Sequence, residues 1–462
     1  MSHINWNDRL CFEPRVAKGG LGLPADDDRN WEFRGRELVG LVEKRRAAKK
    51  DLGFLDLPET MPATAAKCRD YIAHAREHGL DTMLVLGIGG SSLGGRMLQE
   101  ALAPATAAAS TRPRAAGTMR VLFADSLDPD TFATLLASVD CRKTCVNVIS
   151  KSGSTAETLA QFLICRERWE RETGPNWHHY FCFTTDPVKG PLRQIAGQHH
   201  IRSFEVPPNV GGRFSVLSAV GLLPAAAMGI DLAELLAGAG RTRDLCLRTD
   251  PLTNPALRFA LMHLKLKDRG LAETLIWPYV DRLRSFGLWF AQLWAESLGK
   301  STRSHRAKLR QGFTPVLSLG AADQHSQLQL YLESPARRLA VVIGQEQHLS
   351  DPRFPSYFNE FEEIAYLPGH TLGALQEAER QATVLSLAQN GTPVIQISID
   401  SVSPRVIGDL IMLFEAATVL TGEGLGLDAM DQPAVEQGKR YAMGTLGRKG
   451  YEHYRLAADA TK

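Results

Sequence analysis

Short apolar runs alternate with amphipathic stretches along the middle of the chain. Residues 83–86 come directly before the glycine-rich turn 87–95, and the runs 121–124 and 146–149 also end in turns and helix-like segments. A further short strand is expected at 180–184. Buried parallel strands read as continuous apolar runs, and helices connect them. The alternation therefore predicts an α/β lobe in which a parallel sheet has helices on both faces.

The same pattern returns in the second half of the chain. A strand-like run at 273–276 follows a helical connector, and a predicted helix at 286–298 opens a second lobe. Buried strands are then expected at 316–319, 339–343 and 394–399, before a closing helix from residue 404 to about 422. The predicted domains are a helical N-terminal extension 1–77, a first lobe 78–240, a helical connector 241–285, a second lobe 286–422 and a helical tail 423–462.

Composition and charge agree with a globular protein of this size. A chain of 462 residues suits two lobes that share an interface. Lys and Arg number 53 against 51 Asp and Glu, so the net charge of +2 provides no basic field for nucleic acid. The basic run 44–50 is interpreted as a solvated helix face.

Cysteine usage and the hydropathy pattern bear on the compartment. Seven cysteines are scattered along the chain, and the first fifteen residues lack an apolar signal core, which favours a reducing cytoplasm. The most apolar segment, 219–230, is interrupted by Pro224 and is shorter than the roughly 20 residues of a spanning helix. No membrane association is therefore expected.

The turn 87–95 does not match either common nucleotide motif. The dinucleotide fingerprint needs a glycine where Ser92 stands, and the phosphate-binding P-loop needs lysine where Arg96 stands. What remains is a tight, hydroxyl-rich turn. Such a turn allows close backbone approach to a ligand, but it can equally exist to pack a helix on the sheet.

The segment 150–158 is a stronger candidate for anion binding. Four hydroxyl side chains and Lys151 gather where a helix is predicted to begin; the hydroxyls belong to Ser150, Ser152, Ser154 and Thr155. Hydroxyl donors, free backbone N–H groups and the positive end of a helix together suit a phosphate dianion. The alternative is an ordinary helix cap in which Thr155 and Glu157 bond only to the backbone.

These two loops carry a family resemblance. The stretch 86–94, together with 149–158, resembles the first sugar-isomerase (SIS) domain of the glucose-6-phosphate isomerase family. Further blocks follow in that family's order, namely VGGRFS at 210–215, QLWAESLGK at 292–300, DQHSQ at 323–327 and QPAVEQGK at 432–439. The resemblance implies two SIS-type doubly wound lobes and reversible isomerisation of glucose 6-phosphate and fructose 6-phosphate.

The resemblance also implies catalytic roles. Glu296 matches the base, a desolvated carboxylate that moves a proton between neighbouring carbons through an enediolate. Arg213 matches the cation that stabilises the charge of the enediolate. His325 and Lys439 match the pair that opens the sugar ring. In the family this histidine comes from the neighbouring subunit, which implies a homodimer with a shared active site.

Binding roles follow in the same way. By resemblance, Ser150, Lys151, Ser152 and Thr155 bind the phosphate, Gly90 and Ser91 line the sugar side, and Gln292 and Gln432 hold the sugar and phosphate. The only small-molecule partner implied is a sugar phosphate, and no cofactor or metal is expected. The histidine pairs 178–179 and 199–200 lack a second ligand cluster at metal spacing.

Three alternatives remain open from the sequence. SIS domains also occur in non-catalytic sugar-phosphate sensors, although the retained set of four catalytic matches favours an enzyme. An isomerase of a related phosphorylated or sulfonated hexose would also use an oxyanion loop. Relatives acting on both glucose and mannose phosphates tend to carry tyrosine at the position of Lys151, so Lys151 favours glucose. An isomerase that also handles nitrogen would need a glutaminase domain or an amine-binding partner, and no N-terminal cysteine nucleophile is present.

Overall fold

The structure is a computed structural model, and it describes residues 3–104, 115–303, 308–335 and 337–456. The strands are β1 (Ile4–Leu10), β2 (Thr82–Leu86), β3 (Arg120–Ala124), β4 (Thr144–Ser150), β5 (Phe181–Thr185), β6 (Arg202–Glu205), β7 (Glu273–Pro278), β8 (Lys300–Arg303), β9 (Lys308–Gln311), β10 (Thr314–Leu317), β11 (Arg338–Gln345) and β12 (Val394–Ile399).

Helices separate most of the strands. They are α1 (Trp31–Ala47), α2 (Leu57–Thr60), α3 (Pro62–Glu77), α4 (Leu93–Leu102), α5 (Pro129–Ala137), α6 (Ala156–Thr173), α7 (Pro191–Gln198), α8 (Ala219–Ala227), α9 (Leu232–Cys246), α10 (Pro255–Asp268), α11 (Arg284–Leu298), α12 (Leu328–Glu333), α13 (Glu362–Ala365), α14 (Leu372–Gln389), α15 (Pro404–Gly424) and α16 (Glu436–Thr445).

The first sheet has the order β3-β2-β4-β5-β6, and all of its strands are parallel. Two separate groups of buried apolar side chains cover its opposite faces, with Met83 and Val85 on one side and Leu84 and Leu86 on the other. Burial on both faces explains why β2 reads as an uninterrupted apolar run. This arrangement confirms the predicted α/β class.

The second sheet has the order β1-β12-β11-β7-β10, in which β1 is antiparallel to β12 and the other pairs are parallel. Strands β8 and β9 form a separate two-stranded antiparallel ribbon. Helix α15 is buried from Val406 to Gly422 and packs against α9, α10 and α11. Its burial on all sides explains its nearly continuous apolar sequence.

Two parts of the predicted domain division need correction. Residues 1–77 are not purely helical, because Ile4–Leu10 forms an edge strand of the second sheet. The segment 241–285 is not only a helical connector either. Its strand β7 lies between β11 and β10, inside the second sheet. In both cases the sheet is assembled from segments far apart in sequence, which local patterning does not report.

No helix among the described residues combines the length and the apolar character needed to cross a bilayer.

Candidate active site

The site is built where strands of the first sheet end. β2 and β4 are neighbours, and each is followed at its carboxyl end by a loop that leads into a helix, α4 and α6 respectively. The loop after β2 contains the 3-10 turn Gly89–Ser91, which contacts both the 3-10 turn Gly212–Phe214 and helix α11. Ligands of parallel α/β sheets bind at this edge.

Gly90 brings the loop after β2 into direct backbone contact with the 3-10 turn that contains Arg213. A Cβ atom added to Gly90 would lie 2.4 Å from the carbonyl oxygen of Gly212 and 2.9 Å from the backbone nitrogen of Arg213. Gly95, in contrast, faces the ring of Phe123, where an added Cβ would lie 2.8 Å from the side chain. The glycine-rich turn therefore does two things: it packs α4 on the sheet and it seats the loop that carries Arg213.

Helix α11 places two of the expected site residues one turn apart. Gln292 Nε2 donates a hydrogen bond of 3.2 Å to Glu296 Oε1. The other carboxylate oxygen, Oε2, lies 3.3 Å from Arg213 Nη1. Because residues four apart share one helix face, this arrangement follows from the local sequence once the helix has formed. Its partner Arg213, in contrast, comes from a separate loop.

The guanidinium group of Arg213 is buried and has a partner on every nitrogen. Nε donates to Ser297 Oγ at 2.7 Å, and Nη1 also donates to Gln432 Oε1 at 2.7 Å. Nη2 donates to the carbonyl oxygens of Ala429 and Asp431. Burial lowers the pKa of Arg213 from its usual value, and nearby carboxylates oppose that shift. The group is a cation with a fixed direction.

The Glu296 side chain is less desolvated than the sequence suggested. It is 36% exposed, and its carboxylate contacts the Arg213 cation and the Gln292 amide. The preceding apolar residues Leu293 and Trp294 are fully buried, whereas the Glu296 side chain is not. The expectation of a desolvated base is therefore wrong for this chain as described. The apolar residues around Glu296 serve the core.

The loop 150–155, called here the anion loop, is the candidate phosphate site. Ser150 Oγ and Thr155 Oγ1 lie 2.8 Å apart and share one hydrogen bond. Thr155 occupies the N-cap position of α6, yet its side chain makes no hydrogen bond to the backbone N–H groups of that helix. The alternative of an ordinary side-chain cap does not describe this loop. Ser152 is exposed, and its hydroxyl accepts from the backbone N–H of Ser154.

Lys151 connects the anion loop to the loop of Arg213. Its Nζ donates to the carbonyl oxygens of Pro208 and Val210 at 2.8 and 2.7 Å. Burial lowers the pKa of Lys151, partly offset by the charge of Asp186. The ammonium group therefore stabilises the segment that leads to Arg213. Lys151 itself belongs to the anion loop.

His325 and Lys439 are not brought together with the other predicted catalytic residues. His325 is exposed at the end of the 3-10 turn Ala322–His325. Lys439 is exposed on α16 and forms an ion pair with Glu436 at 2.8 Å. Within the described residues, no hydrogen bond or ion pair joins either side chain to Glu296 or Arg213.

Sequence reasoning missed two residues that bond to Arg213, Ser297 and Asp431, and one that pairs with a neighbouring segment, Arg45. Ser297 and Asp431 stand directly next to the recognised Glu296 and Gln432, so their position beside quoted motifs was the available signal. Arg45 had no such signal, because it lies in the basic run interpreted as a solvated face. That interpretation is wrong for Arg45, whose side chain is only 22% exposed and pairs with three carboxylates.

In the described part of the chain, no group of three or more histidine, cysteine, aspartate or glutamate side chains is arranged to hold a metal ion. Metal independence remains a prediction that a chelator tests.

The chain is similar to known proteins along most of its length. The family model for phosphoglucose isomerase matches residues 70–450. The glucose-6-phosphate isomerase of Carboxydothermus hydrogenoformans is 39% identical over 457 residues, covering 98% of this chain and 96% of the relative. That of Thermus thermophilus is 37% identical over 399 residues, covering 86% and 91%.

Solved structures show the same architecture. The crystal structure of a hypothetical protein from Thermus thermophilus superposes with a TM-score of 0.82 at 33% identity, covering 96% of this chain and 100% of that one. A glucose-6-phosphate isomerase from Chlamydia trachomatis superposes with a TM-score of 0.71 at 23% identity, covering 83% and 72%, a likeness that concerns the fold. Sequence and structure together establish that this chain belongs to the phosphoglucose isomerase family.

Proposed function

We propose that this protein interconverts glucose 6-phosphate and fructose 6-phosphate by metal-independent proton transfer through an enediolate. One observation carries the proposal: the Glu296 carboxylate faces the buried guanidinium of Arg213 at 3.3 Å. The relatives named glucose-6-phosphate isomerase support the choice of substrate.

The contact between Glu296 and Arg213 suits the movement of charge in this reaction. Glu296 takes the proton from the carbon next to the carbonyl and returns it to the neighbouring carbon. As the carboxylate becomes neutral, the negative charge passes to the enediolate oxygens. Arg213 then exchanges an anionic partner on the protein for one on the substrate, and its fixed position needs no reorganisation during the step.

The phosphate binds at the other end of the site. Its oxygens accept from the hydroxyls of Ser150, Ser152 and Thr155 and from the backbone N–H groups at the start of α6. Gly90 and Ser91 line the sugar chain. Gln292 positions the base, and the amide NH₂ of Gln432 binds substrate while its oxygen accepts from Arg213.

Ring opening is assigned to His325 and Lys439, with His325 supplied by a second copy of the chain. The exposed position of His325, without a described bond to Glu296 or Arg213, supports a site completed by a homodimer. A cytoplasmic location is part of the same proposal. The seven cysteines are all buried free thiols, as suits a reducing compartment.

The assay follows fructose 6-phosphate through a glucose-6-phosphate dehydrogenase couple, with EDTA present throughout. Glu296→Gln keeps the size of the side chain and removes the base, so turnover should fall by several orders of magnitude while sugar-phosphate binding persists. Glu167→Gln, at an exposed position on α6, is the matched control and should keep wild-type turnover. A wild-type protein that binds fructose 6-phosphate without turnover would contradict the proposal.

The shared site is tested by mixing two inactive variants, Glu296→Gln and His325→Ala. In a mixed dimer, one of the two sites has both wild-type residues if His325 acts across the interface. Unfolding and refolding an equal mixture should then restore roughly one quarter of wild-type activity. If no activity returns although mixed dimers form, His325 does not act in the neighbouring subunit's site.

A further inference from the structure

The segment 428–432, called here the clasp segment, supplies most of the acceptors for Arg213. It lies between α15 and the 3-10 turn Pro433–Val435 and has no helix or strand of its own. The carbonyl oxygens of Ala429 and Asp431 and the side-chain oxygen of Gln432 all accept from the Arg213 guanidinium. Without regular secondary structure, the clasp segment depends on other contacts for its position.

Two cations outside the predicted site hold the clasp segment. Arg45 of α1 forms an ion pair with Asp428, and its guanidinium also pairs with Glu423 at 2.8 Å and with Asp51 at 2.6 Å. The Arg45 side chain is only 22% exposed. A network of this kind, anchored on a partly buried guanidinium, constrains geometry more than a single exposed pair does.

Lys300 holds the clasp segment from the other side. Its Nζ contacts the carbonyl oxygen of Asp428 and forms an ion pair of 2.7 Å with the Asp431 carboxylate. The Lys300 side chain is 9% exposed. Asp431 thus connects Lys300 directly to Arg213: its carboxylate pairs with Lys300 while its carbonyl oxygen accepts from Arg213.

We infer that Arg45 and Lys300 are positioning residues for isomerisation, which act through the clasp segment to fix the Arg213 guanidinium against the Glu296 carboxylate. The inference rests on the proposed role of Arg213 in the reaction. Neither cation touches Glu296 or the anion loop through any described hydrogen bond or ion pair, so their effect on substrate passes through Arg213.

Removing either cation should lower kcat and leave KM nearly unchanged. Loss of the Arg45 pair with Asp428 loosens the clasp segment, and Arg213 then loses its aligned acceptors. A displacement of about 1 Å in a catalytic group lowers the rate about 100-fold, and partial loosening should cost about 10- to 100-fold in kcat. The phosphate loop keeps its own contacts, so KM for fructose 6-phosphate should stay within about twofold.

Arg45→Gln and Lys300→Gln are therefore compared with Arg46→Gln. Arg46 is the next residue of α1, is 26% exposed, and pairs with Asp56 instead of the clasp segment. The Arg46→Gln variant therefore shows how the loss of an ion pair on α1 changes stability alone. For Arg45→Gln and Lys300→Gln we expect the fall in kcat, and for Arg46→Gln a similar shift in melting temperature with wild-type kcat.

A double variant shows whether Arg45 acts through Arg213. In an Arg213→Gln background, Arg45→Gln should cause no further loss of kcat, because the group that it positions is gone. A further tenfold loss there would overturn the inference, as would wild-type kcat in Arg45→Gln and Lys300→Gln while Arg213→Gln is impaired. Wild-type kcat in Arg213→Gln would instead overturn the proposed role of Arg213, on which the inference rests.

Discussion

Gly90→Ala is expected to lower turnover about 100-fold while leaving the protein folded. The added Cβ would lie 2.4 Å from the Gly212 carbonyl oxygen, against 3.4 Å for ordinary contact, so the two loops must separate by about 1 Å. The obstructing atoms belong to the backbone, and no side-chain rotation makes room. The backbone nitrogen of Arg213 is itself 2.9 Å from the new atom, so the displacement reaches the cation.

Two measurements separate the effect on the site from the effect on the fold. Overpacking of this size costs about 1–3 kcal/mol in the free energy of unfolding, which urea denaturation measures. The coupled assay measures kcat for fructose 6-phosphate. Gly197→Ala is the control, because its Cβ would meet nothing within 4 Å, and it should keep wild-type kcat. Wild-type kcat in Gly90→Ala would refute the claim that the loop contact positions Arg213.

Three further predictions concern two buried groups, His263 and Glu415, and the partly buried Lys151. Burial lowers the pKa of His263 from 6.5 to about 3, so between these values only the unfolded chain takes up its proton. The free energy of unfolding should therefore fall by about 1.4 kcal/mol per pH unit below pH 6.5. Urea titrations of His263→Gln should show a shallower pH dependence, and an unchanged dependence would indicate a hydrated imidazole. Burial raises the pKa of Glu415, both of whose oxygens lack a hydrogen-bond partner. Stability should therefore fall as pH rises above the ordinary pKa of a glutamate carboxyl. Glu415→Gln should raise the free energy of unfolding at pH 7.5 by about 1–3 kcal/mol and not at pH 4.5, whereas an equal gain at both would contradict ionisation as the cause. Lys151→Met removes the donors to two carbonyl oxygens and a charge beside the anion loop, so KM for fructose 6-phosphate should rise about 10-fold, and an unchanged KM would exclude Lys151 from phosphate binding.

The strands that the sequence predicted well are those buried on both faces. β2 is almost entirely apolar and β4 and β12 are largely so, and the structure places all three within a residue or two of the expected bounds. β1 was missed because it is an edge strand with mixed burial, whose polar residues resemble those of a surface helix. β7 was recognised as a strand but assigned outside the second lobe, since nothing local shows which sheet a strand joins.

The sequence identified residues of the candidate site but only part of their arrangement. Motifs identified Arg213, Glu296, Gln292 and Gln432, and the structure joins these four through hydrogen bonds. Arg45 was not found, because its partner Asp428 lies 383 residues away in sequence. The local sequence of a basic run does not show whether a charged side chain is solvated or pairs with a distant loop.

By itself, the sequence determined the alternation of strands and helices, the glycine-rich and hydroxyl-rich loops, and the chemical types gathered in the motifs and their order. These depend on local periodicity and on backbone conformations that neighbouring residues set. Only the tertiary structure decided that Arg213 meets Glu296 and that the clasp segment holds it. Those contacts join segments more than eighty residues apart, and packing of the two sheets and α15 determines which of them meet.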